Sequence, residues 1–200
     1  MALIGRPREF DRDAALEAAM LLFWRKGFAA ASMNDLCDAM GIRSPSLYAA
    51  FGGKEALYLE AVERYVQTIG PPVWDNLDGA TARASIENLL LAGTKTLPKS
   101  RTAPAGCMAM LSAVGDEWPA TIVDVVKKVR LEVLGRLRSR LETAVAEGEL
   151  PGSTDTDGLS RFYLGVFQGM AVQAQDGATT AELKGVAAAA MAAWPSGGAR

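Results

Sequence analysis

The stretch Ser32-Met33-Asn34-Asp35-Leu36-Cys37-Asp38-Ala39-Met40-Gly41-Ile42-Arg43-Ser44-Pro45-Ser46-Leu47-Tyr48-Ala49-Ala50-Phe51-Gly52-Gly53 decides the fold. Met33, Leu36, Cys37 and Met40 fall at helical spacing, so they form one apolar stripe on a short helix that Gly41 closes. Ser32 followed three residues later by Asp35 predicts a capping box at its start. A second short helix begins near Ser44-Pro45, with Ser44 as N-cap and Pro45 at the first helical position, where its missing N–H costs nothing. Leu47 and Phe51 are its buried pair, and Gly52-Gly53 breaks it. Two short helices joined by Gly41-Ile42-Arg43 are a helix-turn-helix layout, motif about 32–51, in which the second helix enters a DNA major groove. Such a helix needs small residues on its exposed face, and Ser44, Pro45, Ser46, Ala49 and Ala50 are all small. Tyr48 and Lys54 flank them, and a phenol and an ammonium suit phosphate contacts.

Upstream, Leu16, Ala19, Met20 and Phe23 form one stripe that Gly27 can close, which supplies a stabilising helix before the pair. Downstream, helical periodicity predicts elements over 54–67, 84–97, 104–114, 119–147, 157–175 and 180–193. Pro71-Pro72 and the mixed segment to Thr81 predict a break between them, and 148–157 a turn-rich loop. The 119–147 helix carries Ile122, Val126, Val129, Val133, Leu137, Leu141 and Val145 along one stripe. No alternating run of strand length occurs, so the expected fold class is all-α.

With 200 residues, half of them apolar and 22% charged, the chain has the composition of a folded protein. Its net charge of -2 excludes a uniformly basic coat for nucleic acid, though not a local patch. The absence of histidine removes serine- and cysteine-histidine catalysis and histidine-ligated zinc. Two cysteines, Cys37 and Cys107, make neither a disulfide framework nor a four-cysteine metal site. No cofactor or metal is expected. The charged N-terminus and the shortness of the uncharged runs argue against export or membrane insertion, so a cytoplasmic location is expected. Residues 1–54 hold seven cations against six acids, a balance of only +1. The run Lys127, Lys128, Arg130, Arg136, Arg138 and Arg140, interleaved with Glu132 and Glu142, reads as a solvated helix face.

The segment Gly41-Ile42-Arg43-Ser44-Pro45-Ser46-Leu47-Tyr48-Ala49-Ala50-Phe51-Gly52-Gly53-Lys54-Glu55-Ala56-Leu57 closely resembles the signature of TetR-type transcriptional regulators. Ala19, Phe23, Gly27-Phe28, Ser32-Met33 and Leu36 also sit where that signature expects them. The resemblance implies an N-terminal three-helix DNA-binding domain at 1–57 and a helical bundle at 58–200 for effector binding and dimerisation. It implies phosphate contacts from Ser32, Ser46, Tyr48 and Lys54, and base-edge contacts from the region of Asn34, Ser44, Pro45 and Ala49; Arg43 is a further candidate DNA-binding residue. Ala50 departs from the signature, which commonly places a ring there. Arg6, Arg8 and Arg12 are the expected compensation, through phosphates or the minor groove. The implied function is a sequence-specific regulator, not an enzyme: a repressor acting on a palindromic double-stranded operator and released by a small effector.

The last two helices are apolar on more than one face: Phe162, Tyr163, Leu164, Val166, Phe167, Met170 and Val172, then Leu183, Val186, Met191 and Trp194. Something must cover the surplus. Central burial in the bundle is one account, and a homodimer interface built from both helices is the preferred one. Trp74, Met108, Met110, Leu111, Trp118, Phe162 and Phe167 are candidate walls of an effector cavity. Cys107 is read in the first turn of the 104–114 helix, where unpaired N–H groups favour thiolate and Arg101 is near. Two readings of it stand: a thiol that reacts with an oxidant or electrophile, and an inert thiol filling a small slot. Two rival classes also stand, a helical enzyme and an interaction bundle without DNA binding.

Overall fold

The computed structural model describes residues 10–114 and 117–195, and every regular element in it is helical. The chain divides into two compact units, Met1–Arg64 and Tyr65–Arg200. Among the described residues no helix is long and apolar enough to cross a membrane.

The first unit holds α1 (Arg12–Ala30), α2 (Met33–Met40), α3 (Ser44–Phe51) and most of α4 (Lys54–Thr68). Asp11 caps α1 by accepting from the Asp13 and Ala14 amides. Gly27 leaves the helix at φ 76°, as its place in the sequence suggests, but one further turn follows to Ala30. The capping box of α2 forms in both directions: Ser32 Oγ accepts from Asp35 N, and Asp35 Oδ2 accepts from Ser32 N. Gly41 ends α2 in the left-handed region at φ 64°, where a side chain would be strained.

The start of α3 differs from expectation by one residue. Arg43 is the N-cap, in extended conformation, while Ser44 and Pro45 already lie inside the helix. The first helical bond runs from Leu47 N to Arg43 O, so Arg43 must supply the capping carbonyl, and no side chain caps this end. Leu47 and Phe51 are buried as expected. Phe23, Phe28 and Tyr58 form the aromatic heart of the unit, with Tyr58 edge-on to both phenylalanines at 4.9 and 5.3 Å. Arg12 lies 4.3 Å from the Phe51 ring centroid and pairs with Glu60 at 2.7 Å.

The second unit is built around α6 (Ala82–Thr96), which packs against α9 (Thr156–Gln175) and α10 (Thr180–Ala192). Gly93 lets α6 approach α9: a Cβ there would stand 2.9 Å from the Phe167 ring. The long helix α8 (Ala120–Ala146) buries Ile122, Val126, Val133, Leu137, Leu141 and Ala144, close to the expected stripe. Lys128 pairs with Glu132 and Arg138 with Glu142 along the surface, but the expected solvated face holds only in part: Arg130 donates to Ser112 O, Arg136 to Trp74 O, and half-buried Arg140 pairs with Glu149.

Two expectations fail here. The segment 71–81 is not a break: it forms α5 (Pro71–Trp74) and a 3-10 turn (Asp75–Asp78), and buries Val73 and Leu77 inside the second unit. Paired prolines pre-set φ for a first helical turn, so they start α5 rather than ending order. Conversely, the helix over 104–114 shrinks to α7 (Met108–Leu111). Gly106 stands at φ 80°, outside any helix, and a Cβ there would come within 2.8 Å of Gln175 and Leu111 side chains.

The α2 cap has a pH signature. Lys26 Nζ, 2.9 Å away, and then the Ser32 amide and hydroxyl hold the Asp35 carboxyl down at about 2. A carboxyl depressed in the folded state contributes stability above its unfolded value of about 4, and loses it as pH falls through the folded value. The stability gap between wild type and Asp35→Asn is therefore expected to be flat from pH 7 to 5 and to close between about pH 4 and 2. Urea unfolding across that range measures it, and a gap independent of pH contradicts the assignment.

Candidate nucleic-acid interface and effector cavity

In the first unit, burial of Leu47 and Phe51 turns the opposite side of α3 outward. Ser44, Pro45, Tyr48 and Ala49 are exposed together, with Arg43 just before them and Asn34 exposed on α2. Tyr48 is 54% exposed, and its ring passes 3.5 Å from where a Cβ on Gly53 would stand. Such a ridge, small in the middle and carrying hydroxyl, amide and guanidinium groups at its edges, suits close approach to base edges. Three expected phosphate donors are less available. The Ser32 hydroxyl is engaged with Asp35 at 2.8 Å, and Ser46 is half-buried. Lys54 sits 4.5 Å from the Phe28 ring centroid and reaches Ala29 O, and desolvation lowers its pKa.

Arg12 is also committed, between Glu60, the Phe51 ring and the Ala50 carbonyl. Its expected role as a spare cation for DNA meets that prior engagement: its charge is already neutralised within the unit. Arg6 and Arg8 lie outside the described residues.

The second unit holds a partly open cavity of about 260 Å³. Tyr65 and Val66 of α4, Trp74 of α5, Cys107 with Ala109 and Met110 around α7, and Val129 and Val133 of α8 form its apolar wall. Asp75, Glu132 and Arg136 supply charge, and Arg136 ties α8 to α5 by donating to Trp74 O at 2.8 Å. Of the expected wall residues, Cys107, Met110 and Trp74 are brought together here. Phe167 stands behind the wall, fully buried, with its ring 4.7 Å from that of Trp74. Trp118 is half-buried and is not a lining residue. Phe162 is 43% exposed and also absent from this wall, because its position on α9 turns it to the surface.

Cys107 is buried, and Tyr65 Oη donates to its Sγ at 3.2 Å. The expectation of a favoured thiolate is corrected. Burial pushes the thiol pKa up, outweighing the Tyr65 phenol and the Met110 and Ala109 amides that pull it down. First-turn amides do act on the sulfur, but α7 has only one turn, and exposed Arg101 is not among the groups acting on it. The Tyr65 phenol is also raised well above its usual value, chiefly by burial. Tyr65 was not singled out in the sequence. Its signal was there, since it continues the Tyr58, Ala61, Val62 stripe of α4 at helical spacing.

Tyr65→Phe keeps the ring and removes the phenol that donates to the thiol. The pH midpoint of Cys107 alkylation by iodoacetamide, read in a Cys37→Ser background, is expected to move upward. An unchanged midpoint contradicts the Tyr65–Cys107 bond.

Comparison with known proteins adds a second line. Residues 15–61 match the family model described as bacterial regulatory proteins, tetR family. The HTH-type transcriptional repressor ComR of Escherichia coli (strain K12) is 33% identical over 196 residues, covering 96% of this chain and 92% of that protein. The HTH-type transcriptional repressor BdcR of the same strain is 39% identical over 108 residues, 53% of this chain and 54% of that one. Among solved structures, a cysteine-substituted variant of the TetR family transcriptional regulator CifR, complexed with 26-base-pair double-stranded operator DNA, superposes with a TM-score of 0.89. It is 39% identical and covers 95% of this chain and all of that one.

Proposed function

The chain belongs to the TetR family of helix-turn-helix transcriptional regulators, and from that premise we propose that this DNA-binding regulator is a repressor released by a small effector. In this reading the first unit holds a palindromic double-stranded operator through α3, and a homodimer presents two copies of it. The second unit receives a small, largely apolar or thiol-reactive molecule in the cavity beside Cys107. That 260 Å³ cavity, with a buried thiol on its wall, is the observation that carries the effector assignment. Its size lies just below the usual range of about 300–1,000 Å³ for ligand pockets, which favours a compact effector. Two named repressors among the relatives, and operator DNA on the CifR variant, support the DNA half of the reading.

The dimer assignment rests on α9 and α10. Phe162 (43%) and Val172 (47%) are exposed although both are large and apolar. Gly165, Val166 and Gly169 lie between them on the same side, and nothing stands within 4 Å of a Cβ placed on Gly165, Gly169 or Gly185 of α10. An apolar helix face with open glycine notches is suited to the close approach of another helix. A second copy of this chain is the occupant we assign.

Selection from random duplex DNA with purified protein, repeated after treatment with a thiol-reactive compound, tests the reading. An enriched palindrome is expected, lost on treatment of wild type and retained on treatment of Cys107→Ser. A Cys107→Ser protein that still responds removes the thiol from the mechanism. Tyr48→Phe and Lys54→Ala are expected to weaken binding to all sequences alike, and Lys54→Ala, which removes a cation, also to flatten its salt dependence. If both leave affinity unchanged, these residues do not contact the backbone.

A further inference from the structure

Among the described cations of the first unit, most are already spent. Arg12 pairs with Glu60 at 2.7 Å, Lys26 with Asp35 at 2.9 Å and Arg64 with Glu17 at 2.9 Å. Lys54 is drawn onto the Phe28 ring and the Ala29 carbonyl. Two exposed arginines carry no ion pair or ring contact among the described residues: Arg25, on α1, and Arg43, the N-cap of α3. Arg43 has extended backbone, φ -87° and ψ 154°, and the end of α3 it precedes has no side-chain cap.

The groups around Arg43 narrow what it can do. A groove helix contacts base edges mainly through its N-terminal residues. On α3 these are exposed Ser44 and Pro45 and half-buried Ser46, with Ala49 a turn further on, and none of them offers two parallel hydrogen bonds. Small side chains there let the backbone come close, but they discriminate weakly. Arg43 alone at this end has a planar fork of donors, and that fork matches the O6 and N7 acceptors of guanine. Among the described residues no internal ion pair has to be broken to deliver it.

We propose that Arg43 is the main specificity-determining residue of this regulator, reading one guanine through O6 and N7 at the same place in each operator half-site. The proposal rests on the DNA-binding reading of α3 and adds to it the base that is read. Arg43 is exposed and precedes the helix, so Arg43→Ala leaves the core untouched; an unchanged melting temperature checks this.

Selection from random duplexes with wild type and with Arg43→Ala tests it, followed by affinity measurements on the selected operator over a salt series. Wild type is expected to enrich a palindrome with an invariant guanine in each half-site. Replacing that guanine by adenine is expected to cost wild type about tenfold per half-site and Arg43→Ala nothing. Preferences at the other positions are expected to stay. Uniform weakening of the variant on all sequences, with a shallower salt slope, makes Arg43 a phosphate contact and overturns the proposal. So does a variant that keeps the guanine. If wild type enriches no sequence at all, the DNA-binding reading fails first and the Arg43 assignment falls with it, a result distinct from the other two.

Discussion

Burial of Leu47 and Phe51 is the constraint on which the reading head depends. An eight-residue helix is too short to hold its shape alone in water, where about 12–15 residues are needed even for good helix formers. α3 exists because two side chains four apart are withdrawn into the first unit, and that withdrawal fixes which residues face outward. Phe51 is held in turn by Arg12, whose guanidinium covers its ring while pairing with Glu60. A cation is thus used to fix α3 and is withdrawn from the surface around it. Position is obtained at the expense of general electrostatic attraction.

The second unit shows the same competition between position and reactivity. A thiol beside the first amides of a helix tends toward thiolate, and those amides do act on Cys107. The apolar wall of Trp74, Met110, Val129 and Val133 removes water, and the loss of solvation is the larger effect. The sulfur is therefore held protonated with a phenol hydrogen-bonded to it. Such a thiol is a poor target for whatever oxidant or electrophile diffuses past. In the effector reading we propose, only molecules that fit the cavity and stay would reach it, which places selectivity in the cavity's shape and not in intrinsic nucleophilicity.

Much of this was legible in the sequence, and the failures have identifiable causes. The α2 cap, its glycine stop, the α3 core pair and the α8 stripe follow from local periodicity and from residues that act within one turn of themselves. Ser44 looked like the N-cap of α3 because serine favours that place, yet Arg43 holds it, since boundaries of short helices shift by a residue when packing and not capping fixes them. The 104–114 segment has helical spacing, but Gly106 is needed where α9 passes, and that close approach is invisible in a linear pattern. Phe162 and Phe167 sit five apart and seemed equivalent as cavity walls. The helix turns one to the surface and the other into the core, a distinction that depends on which face of α9 meets α6.

The small net charge of the DNA-reading part then takes on a meaning. Non-specific affinity comes from neutralised phosphates, and a unit whose described cations are mostly engaged by its own carboxylates, rings and carbonyls has little of it to offer. Weak binding to arbitrary sequence is no loss to a regulator, because specificity is a ratio, and a low background raises it as effectively as a tight operator complex does. What such a protein cannot spare is a base-reading group of its own, since the small residues of α3 provide proximity without discrimination. In the dimer we propose, a second copy doubles the base pairs that one α3 reads, and the open glycine notches between Phe162 and Val172 are the contact assigned to it.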